Sequence, residues 1–86
     1  MIRLKPYRTN MNEVVINDEQ GRDITILFSY STPVAYVVNG QTPCVTKQKF
    51  SRTTSKHINE WLEAKGFSEY NTVSQRSIES MLDTRV

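Results

Sequence analysis

The sequence has little of what disulfide scaffolds, membrane proteins and secreted proteins need. Among its 86 residues there is one cysteine, Cys44, which cannot form an internal disulfide. Its apolar runs are far shorter than the roughly 20 residues that span a bilayer. The first ten residues include no apolar segment, so we expect no signal peptide. These absences predict a small cytoplasmic protein without a membrane partner.

Residues suited to catalysis or metal binding are also scarce. Cys44 and His57 are one nucleophile–base combination, but Cys44 stands between proline and valine in a predicted strand, where burial makes a thiol unreactive. His57 has no second histidine or cysteine at metal-ligand spacing, and Glu60 is the carboxylate that shares its helical face. The three glycines form no phosphate-binding loop. We expect a protein that is not an enzyme and uses no metal or cofactor.

Acidic residues are missing from residues 24–59, although the chain has nine of them. The same stretch carries four cations, at Lys47, Lys49, Arg52 and Lys56, whereas the net charge of the chain is only +2. A cationic region between acidic flanks favours a phosphate-bearing or acidic partner. A solvated, lysine-rich loop is the alternative interpretation.

Alternating apolar residues predict strands in the first half of the chain. Residues 13–18 and 22–30 both alternate, and Ile2–Lys5 is a shorter candidate strand. Leu27 lies opposite the main apolar side of its strand, so we expect a helix or a partner chain to cover that face as well. The pair Asn39-Gly40 predicts a hairpin, because a type I′ turn needs positive φ at both positions.

Pro43 conflicts with a plain two-residue hairpin at that turn. It would lie opposite Tyr36, where a backbone N–H should donate, and proline has none. The returning strand is therefore predicted to lie at a sheet edge, or to follow a bulge or a longer loop.

Three apolar residues recur at helical spacing after Ser51, namely Ile58, Trp61 and Leu62. They predict a helix over residues 54–65, with Thr53 or Thr54 as its N-cap and Gly66 as the left-handed residue that ends it.

A second helix is predicted over residues 74–83, beginning at Ser74. Strands over about residues 2–47 followed by these two helices predict an α+β fold in a single domain of residues 1–86. The expected architecture is a small antiparallel sheet of three to five strands, followed by two C-terminal helices.

The start of the first helix is the candidate binding site. A helix amino end presents up to four unpaired N–H groups and about half a positive charge, so it attracts anions. Cations at this end of a helix are unfavourable unless a negatively charged group binds near them. Their presence therefore predicts a phosphate or carboxylate ligand. Aromatic side chains, including that of Phe50, are candidate stacking faces for a base. The predicted ligand-binding residues are Arg52, Thr53, Thr54, Ser55, Lys56, His57, Lys47, Lys49, Tyr30 and Tyr36.

An ordinary helix start is the alternative to this binding site. Threonine and serine are good caps on their own, and Lys56 can form a weak exposed pair with Glu60. His57 can pack against Trp61 one turn further along the helix.

The stretches "FSYSTPVAYVVNG" and "FSRTTSKHINEWL" resemble a family of small phage proteins catalogued as a domain of unknown function. The resemblance covers about residues 24–65 and implies a phage or mobile-element origin, but no particular activity. It also implies that Tyr30 and Thr53–His57 belong to the family pattern, which favours a site over a cap. The matching positions are Tyr30 to Ala35, Gly40, Thr53 to Ile58, and Trp61-Leu62.

We therefore expect a non-enzymatic accessory module of a phage or mobile element that contacts phosphate, most readily nucleic acid, through the amino end of helix 54–65. One alternative is an inhibitor of a host enzyme or defence complex, which would use the apolar strand at residues 24–30 or a strand edge at Pro43. Another is a nucleotide-sequestering protein that uses the same anion site. A homodimer is expected, because Leu27 and Val37 stand on the outer face of the sheet.

Overall fold

A computed structural model describes the backbone of residues 2–8, 10–17 and 19–83, and the side chains of residues 4, 10–17 and 19–82. The α+β class is confirmed. Within the described residues, no helix has the length and apolar character needed to cross a membrane. The elements in chain order are β1 Ile2–Arg8, β2 Met11–Asn17, β3 Asp23–Ser29, β4 Thr32–Val38, β5 Cys44–Thr46, α1 Arg52–Lys65, β6 Asn71–Val73, α2 Gln75–Ser80 and a 3₁₀ helix Met81–Asp83.

The strands form one six-stranded sheet in the order β1-β2-β3-β4-β5-β6. Neighbouring strands are antiparallel as far as β5, and β6 then pairs with β5 in parallel. The prediction of an antiparallel sheet of three to five strands was therefore wrong in strand number and at its last strand. The two helices do not simply follow the sheet either, because α1 carries the chain back so that β6 can run beside β5 in the same direction.

Helix α1 covers one face of the sheet. Its apolar stripe is buried against the strands, and Leu27 is wholly buried beneath it. The expectation that both sides of β3 are covered is confirmed, and the cover comes from the same chain. Leu27 and Val37 therefore need no second chain to bury them, and the homodimer stays a prediction without this support. The cluster on this face is Met11, Leu27, Val34, Ala35, Val37, Val45, Ile58, Trp61 and Leu62.

The opposite face carries a second, largely apolar cluster. Ile16, Ile24 and Ile26 are its buried centre, and full burial of such a side chain contributes about 1.5–3 kcal/mol. Met81 packs against the same cluster, and the Gln75 amide of α2 donates to the Pro33 carbonyl over 2.7 Å. The sheet thus lies between α1 and the shorter helical segment at the end of the described chain.

The hairpin after β4 follows the longer-loop alternative. Asn39 and Gly40 have φ of 52° and 72°, which confirms the predicted left-handed pair. Strand pairing resumes only where Cys44 lies opposite Tyr36, so Pro43 is outside the ladder and its missing N–H costs no hydrogen bond. The Pro43 carbonyl instead accepts from the Asn71 N–H over 2.9 Å, because β6 and not solvent borders β5.

The helix boundaries differ from the prediction by a few residues. Ser51 is the N-cap of α1, with its hydroxyl accepting from the Thr54 N–H, so the choice of Thr53 or Thr54 as the cap was wrong. Gly66 ends α1 with φ 79°, as predicted. Ser74 caps α2, but that helix ends at Ser80 and continues only as the 3₁₀ helix.

Candidate functional site

The amino end of α1 is an exposed, positively charged surface. Lys47 and Lys49 come from the loop before α1, and Arg52 and Lys56 from its first turns; these four residues are called the cationic surface below. The first turn has no acidic residue. Within the described part of the chain, Lys47, Lys49 and Arg52 form no ion pair, and Lys56 lies 3.9 Å from Glu60 in an exposed pair that contributes little.

Residues of the cationic surface line two adjoining grooves. The larger groove, about 740 Å³, is lined by Lys49, Arg52 and Lys56 at one end and by Glu60 and Glu63 at the other. The smaller groove, about 310 Å³, lies between the end of β5 with the loop that follows it, the side of α1 that carries Thr54 and Ile58, and the segment that leads into β6. The residues that line both grooves are Lys49, Phe50, Ser55 and Asn59.

Thr54 and His57 belong to a buried hydrogen-bond network, and Thr54 also borders the smaller groove. The Ser29 hydroxyl, at the end of β3, lies 2.8 Å from His57 Nδ1 and 3.1 Å from Thr54 Oγ1. The N-cap hydroxyl of Ser51 donates to Thr54 Oγ1 over 3.3 Å. Because buried polar groups need partners, this network holds the start of α1 to the end of β3.

The Ser29–His57 contact fits either tautomer of the histidine, because the hydroxyl and the ring nitrogen can each donate or accept; one of the two directions starts from Ser51. When Ser51 donates to Thr54, Thr54 can donate to Ser29, and Ser29 then donates to His57 Nδ1. A neutral imidazole that accepts at Nδ1 carries its proton at Nε2. Ser29 is only 2 % exposed, so its hydroxyl has no open face towards a substrate.

Tyr30 and His57 meet in space. Tyr30 is 51 % exposed, and its ring centroid lies 5.6 Å from that of His57 at an interplanar angle of 46°. The tyrosine occupies the tight turn between β3 and β4 with φ 57°, a conformation that is uncommon for an aromatic residue. Its N–H donates to the Asn10 carbonyl over 2.7 Å, which helps to hold the turn.

Tyr36 lies apart from the other predicted ligand-binding residues. It packs with Ile26 on the sheet face that α1 does not cover. The hydrogen bond with Cys44, together with burial, raises the pKa of Tyr36 to about 12. Tyr36 is therefore not part of the candidate site, because the whole sheet separates it from α1.

The remaining predicted residues divide between the two environments. Thr53 is exposed on the first turn of α1, and Ser55 lines both grooves. The structure thus brings Arg52, Ser55, Lys56, Lys47 and Lys49 together on the outside, and Thr54, His57 and Tyr30 together beneath it.

The carboxyl end of α1 holds a buried carboxylate that sequence reasoning missed. Glu13 is 4 % exposed, accepts from the Trp61 indole N–H over 2.7 Å and pairs with Lys65 Nζ at 2.9 Å. The signal was available, since strand alternation puts Glu13 on the same face as Met11 and Val15, which are both buried.

Two further contributors to the site were also missed. Ser29 lies two residues after Leu27 and so faces α1, but a serine at a strand end normally indicates only a turn. Tyr70 lines the smaller groove from a segment without apolar periodicity, and no pattern in the sequence singled it out.

Comparisons with curated proteins and with solved structures gave no match. A family model, described as a family of unknown function (DUF8033), matches residues 2–80. The match extends well beyond residues 24–65 and includes both ends of α1 and the strands beneath them. It confirms the expected domain of unknown function, and the chain therefore belongs to the family DUF8033.

Proposed function

We propose that this chain is a non-enzymatic module that binds nucleic acid through its phosphate groups at the cationic surface. The observation that carries the proposal is the charge imbalance at the amino end of α1. Arg52 and Lys56 stand near that end without an acidic residue in the first turn, and Lys47 and Lys49 extend the positive charge towards β5.

Helix electrostatics make this arrangement unfavourable for the free protein. The amino end of a helix bears a partial positive charge, and a nearby charge changes stability by about 0.3–1 kcal/mol, with cations acting against the helix. A bound phosphate reverses the sign, since it interacts favourably with both the helix and the side-chain cations. The exposed Arg52 guanidinium is also suited to bidentate contact with phosphate oxygens.

The resemblance described above supports the biological setting. We infer that the protein is an accessory of a phage or mobile element that acts in the host cytoplasm, where nucleic acid is an abundant phosphate ligand. A salt-dependent contact with phosphate groups is sufficient for binding and requires no catalytic step.

The test is fluorescence anisotropy with labelled random-sequence nucleic acid over a series of salt concentrations. Three to four phosphate contacts give a slope of log K against log salt of about −2 to −4. The variant Lys49→Ala/Arg52→Ala should weaken binding and reduce that slope. The control Arg76→Glu lowers the net charge by the same two units at an exposed position on α2 and should bind nearly as well as the wild type.

Absence of binding at low salt, or equal losses in the double variant and in Arg76→Glu, would contradict the proposal. Equal losses would mean that overall charge, and not the cationic surface, attracts the ligand.

Nucleotide capture is the second candidate, because the smaller groove has the volume of a small-ligand site, for which about 300–1,000 Å³ is usual. The inhibitor alternative depended on an exposed apolar strand at residues 24–30 or on an exposed strand edge at Pro43, and neither is present in the described residues. The apolar residues of β3 are covered by helical segments on both faces, and β6 occupies the edge beside Pro43.

A further inference from the structure

Two exposed aromatic side chains line the smaller groove. Phe50 is 42 % exposed and Tyr70 is 52 % exposed, although this domain buries its single tryptophan completely. Within the described part of the chain, the two rings make no ring contact with each other or with another aromatic residue. Both side chains therefore have exposed surface that a flat partner can contact.

The lining of the groove combines three kinds of surface. Phe50 and Tyr70 offer aromatic faces, Gln48 and Asn59 offer amides that both donate and accept, and Lys47 and Lys49 offer positive charge. The apolar contribution from below comes from Val45 and Ile58. A nucleotide presents the matching set, namely a flat base, polar base edges and a phosphate.

We propose that the smaller groove binds the base of an unpaired nucleotide, so that the ligand is single-stranded nucleic acid; this inference rests on the proposed function. The base stacks on Phe50 or Tyr70, while the neighbouring phosphates lie against Lys49 and Arg52. In a duplex the base faces are already stacked on one another, so an aromatic side chain reaches them only in a single strand.

The charges along the larger groove define where the strand runs. Glu60 and Glu63 line its far end and repel phosphate, whereas Lys49, Arg52 and Lys56 attract it near the start of α1. The backbone of the strand therefore passes across the amino end of α1 and does not follow the helix towards its carboxyl end.

The experiment is anisotropy at low salt with three labelled probes that carry the same number of phosphates: an oligothymidylate, an abasic strand and a duplex. The wild type should bind the oligothymidylate most tightly. Phe50→Ala and Tyr70→Ala should each weaken that binding roughly 5- to 100-fold, which corresponds to the stacking loss of a single base. Neither change should affect the abasic strand, and Tyr70→Phe, which keeps the ring, should retain most of the affinity.

Leu82→Ala is the matched control, because it removes an exposed apolar side chain near the opposite face of the sheet. Phe50→Ala and Tyr70→Ala should melt at temperatures close to that of the wild type, since exposed positions contribute little to stability.

Equal binding of all three probes, unchanged in Phe50→Ala and Tyr70→Ala, would overturn the single-strand inference and leave the proposed phosphate binding in place. Binding of thymidine 5′-phosphate as tight as that of the oligothymidylate would overturn it in favour of nucleotide capture. Failure of all three probes to bind would reject the proposed function and this inference with it.

Discussion

The two ends of α1 both carry cations, but their electrostatic environments are opposite. At the carboxyl end, Lys65 stands where the helix dipole favours a positive charge, and it pairs with the buried Glu13 carboxylate at 2.9 Å. At the amino end, Arg52 and Lys56 stand where the dipole disfavours them, and the first turn has no acidic residue. Lys65 thus has a buried carboxylate partner and a favourable helix dipole, whereas Arg52 has neither within the described part of the chain.

This difference separates what stabilises the fold from what is available to a ligand. Glu13 and Trp61 tie the carboxyl end of α1 to β2, and this contact needs nothing from outside. The amino end is held by the hydrogen-bond network of Ser51, Thr54, Ser29 and His57, and the charges above this network are exposed. The comparison therefore predicts large stability effects at one end of α1, and smaller stability effects with binding effects at the other.

The largest effect is expected at Trp61, which is completely buried and donates to Glu13. Trp61→Ala should cost about 3–5 kcal/mol, a large share of the roughly 4–13 kcal/mol expected for a domain of this size. Urea unfolding measures this directly. Trp61→Phe keeps a ring in the core but removes the indole donor, and should cost about 1–3 kcal/mol. A negligible loss in Trp61→Phe would show that the Glu13 contact does not stabilise this end of α1.

Ser29→Ala should have the next largest effect, because it removes the hydroxyl between Thr54 and His57, which are both buried. A loss of about 1–3 kcal/mol in the free energy of unfolding is expected. Ser31→Ala, at an exposed position in the same turn, is the control and should change stability by less than about 0.5 kcal/mol. Similar results for both variants would mean that the network does not hold the amino end.

Ser51→Ala tests which residue caps α1. Loss of the side chain that accepts from the Thr54 N–H should cost about 1 kcal/mol. Thr53→Ala, at an exposed position two residues further on, should be nearly neutral. Thermal unfolding compares the two variants, and a larger loss in Thr53→Ala would identify Thr53, one of the two residues predicted from the sequence, as the cap.

The face of the sheet away from α1 offers a test that does not involve either end of the helix. Because the pKa of Tyr36 is raised to about 12 in the folded protein against 10.0 ordinarily, its contribution to stability is present below pH 10 and is lost as the pH rises towards 12. The phenolate absorbance should titrate near that higher value. In Cys44→Ala the midpoint should move back towards 10, since the hydrogen bond between Tyr36 and Cys44 is the main cause of the raised pKa; an unchanged midpoint would assign the shift to burial alone.

Local chemistry explains which features could be predicted from the sequence. The alternation in β3, the left-handed pair Asn39-Gly40, the stripe of α1 and its end at Gly66 depend on neighbouring residues. The cap of α1 could not be chosen by pattern, because Ser51, Thr53 and Thr54 offer equivalent hydroxyls. Strand β6 has only three residues, too few for a period, and it exists because β5 offers it a backbone partner.

The candidate site was predictable in its charges but not in its contacts. Lys47, Lys49, Arg52 and Lys56 are close in sequence, so their clustering followed from the chain itself. The contacts of Ser29 with His57 and of Glu13 with Trp61 join residues that are far apart in sequence, and only the packing of α1 on the sheet creates them. Tyr36 was misplaced for the same reason, since the pattern did not show which face of the sheet α1 would cover.

The most direct test of the central claim is to measure stability and binding together in Arg52→Glu. This change removes a cation from the first turn of α1 and adds the carboxylate that the turn lacks. The account predicts a free energy of unfolding that rises by about 0.3–1 kcal/mol, together with a loss of at least about tenfold in affinity for single-stranded nucleic acid. A variant that binds as tightly as the wild type would contradict the claim that the exposed charge at this end of α1 serves a phosphate ligand.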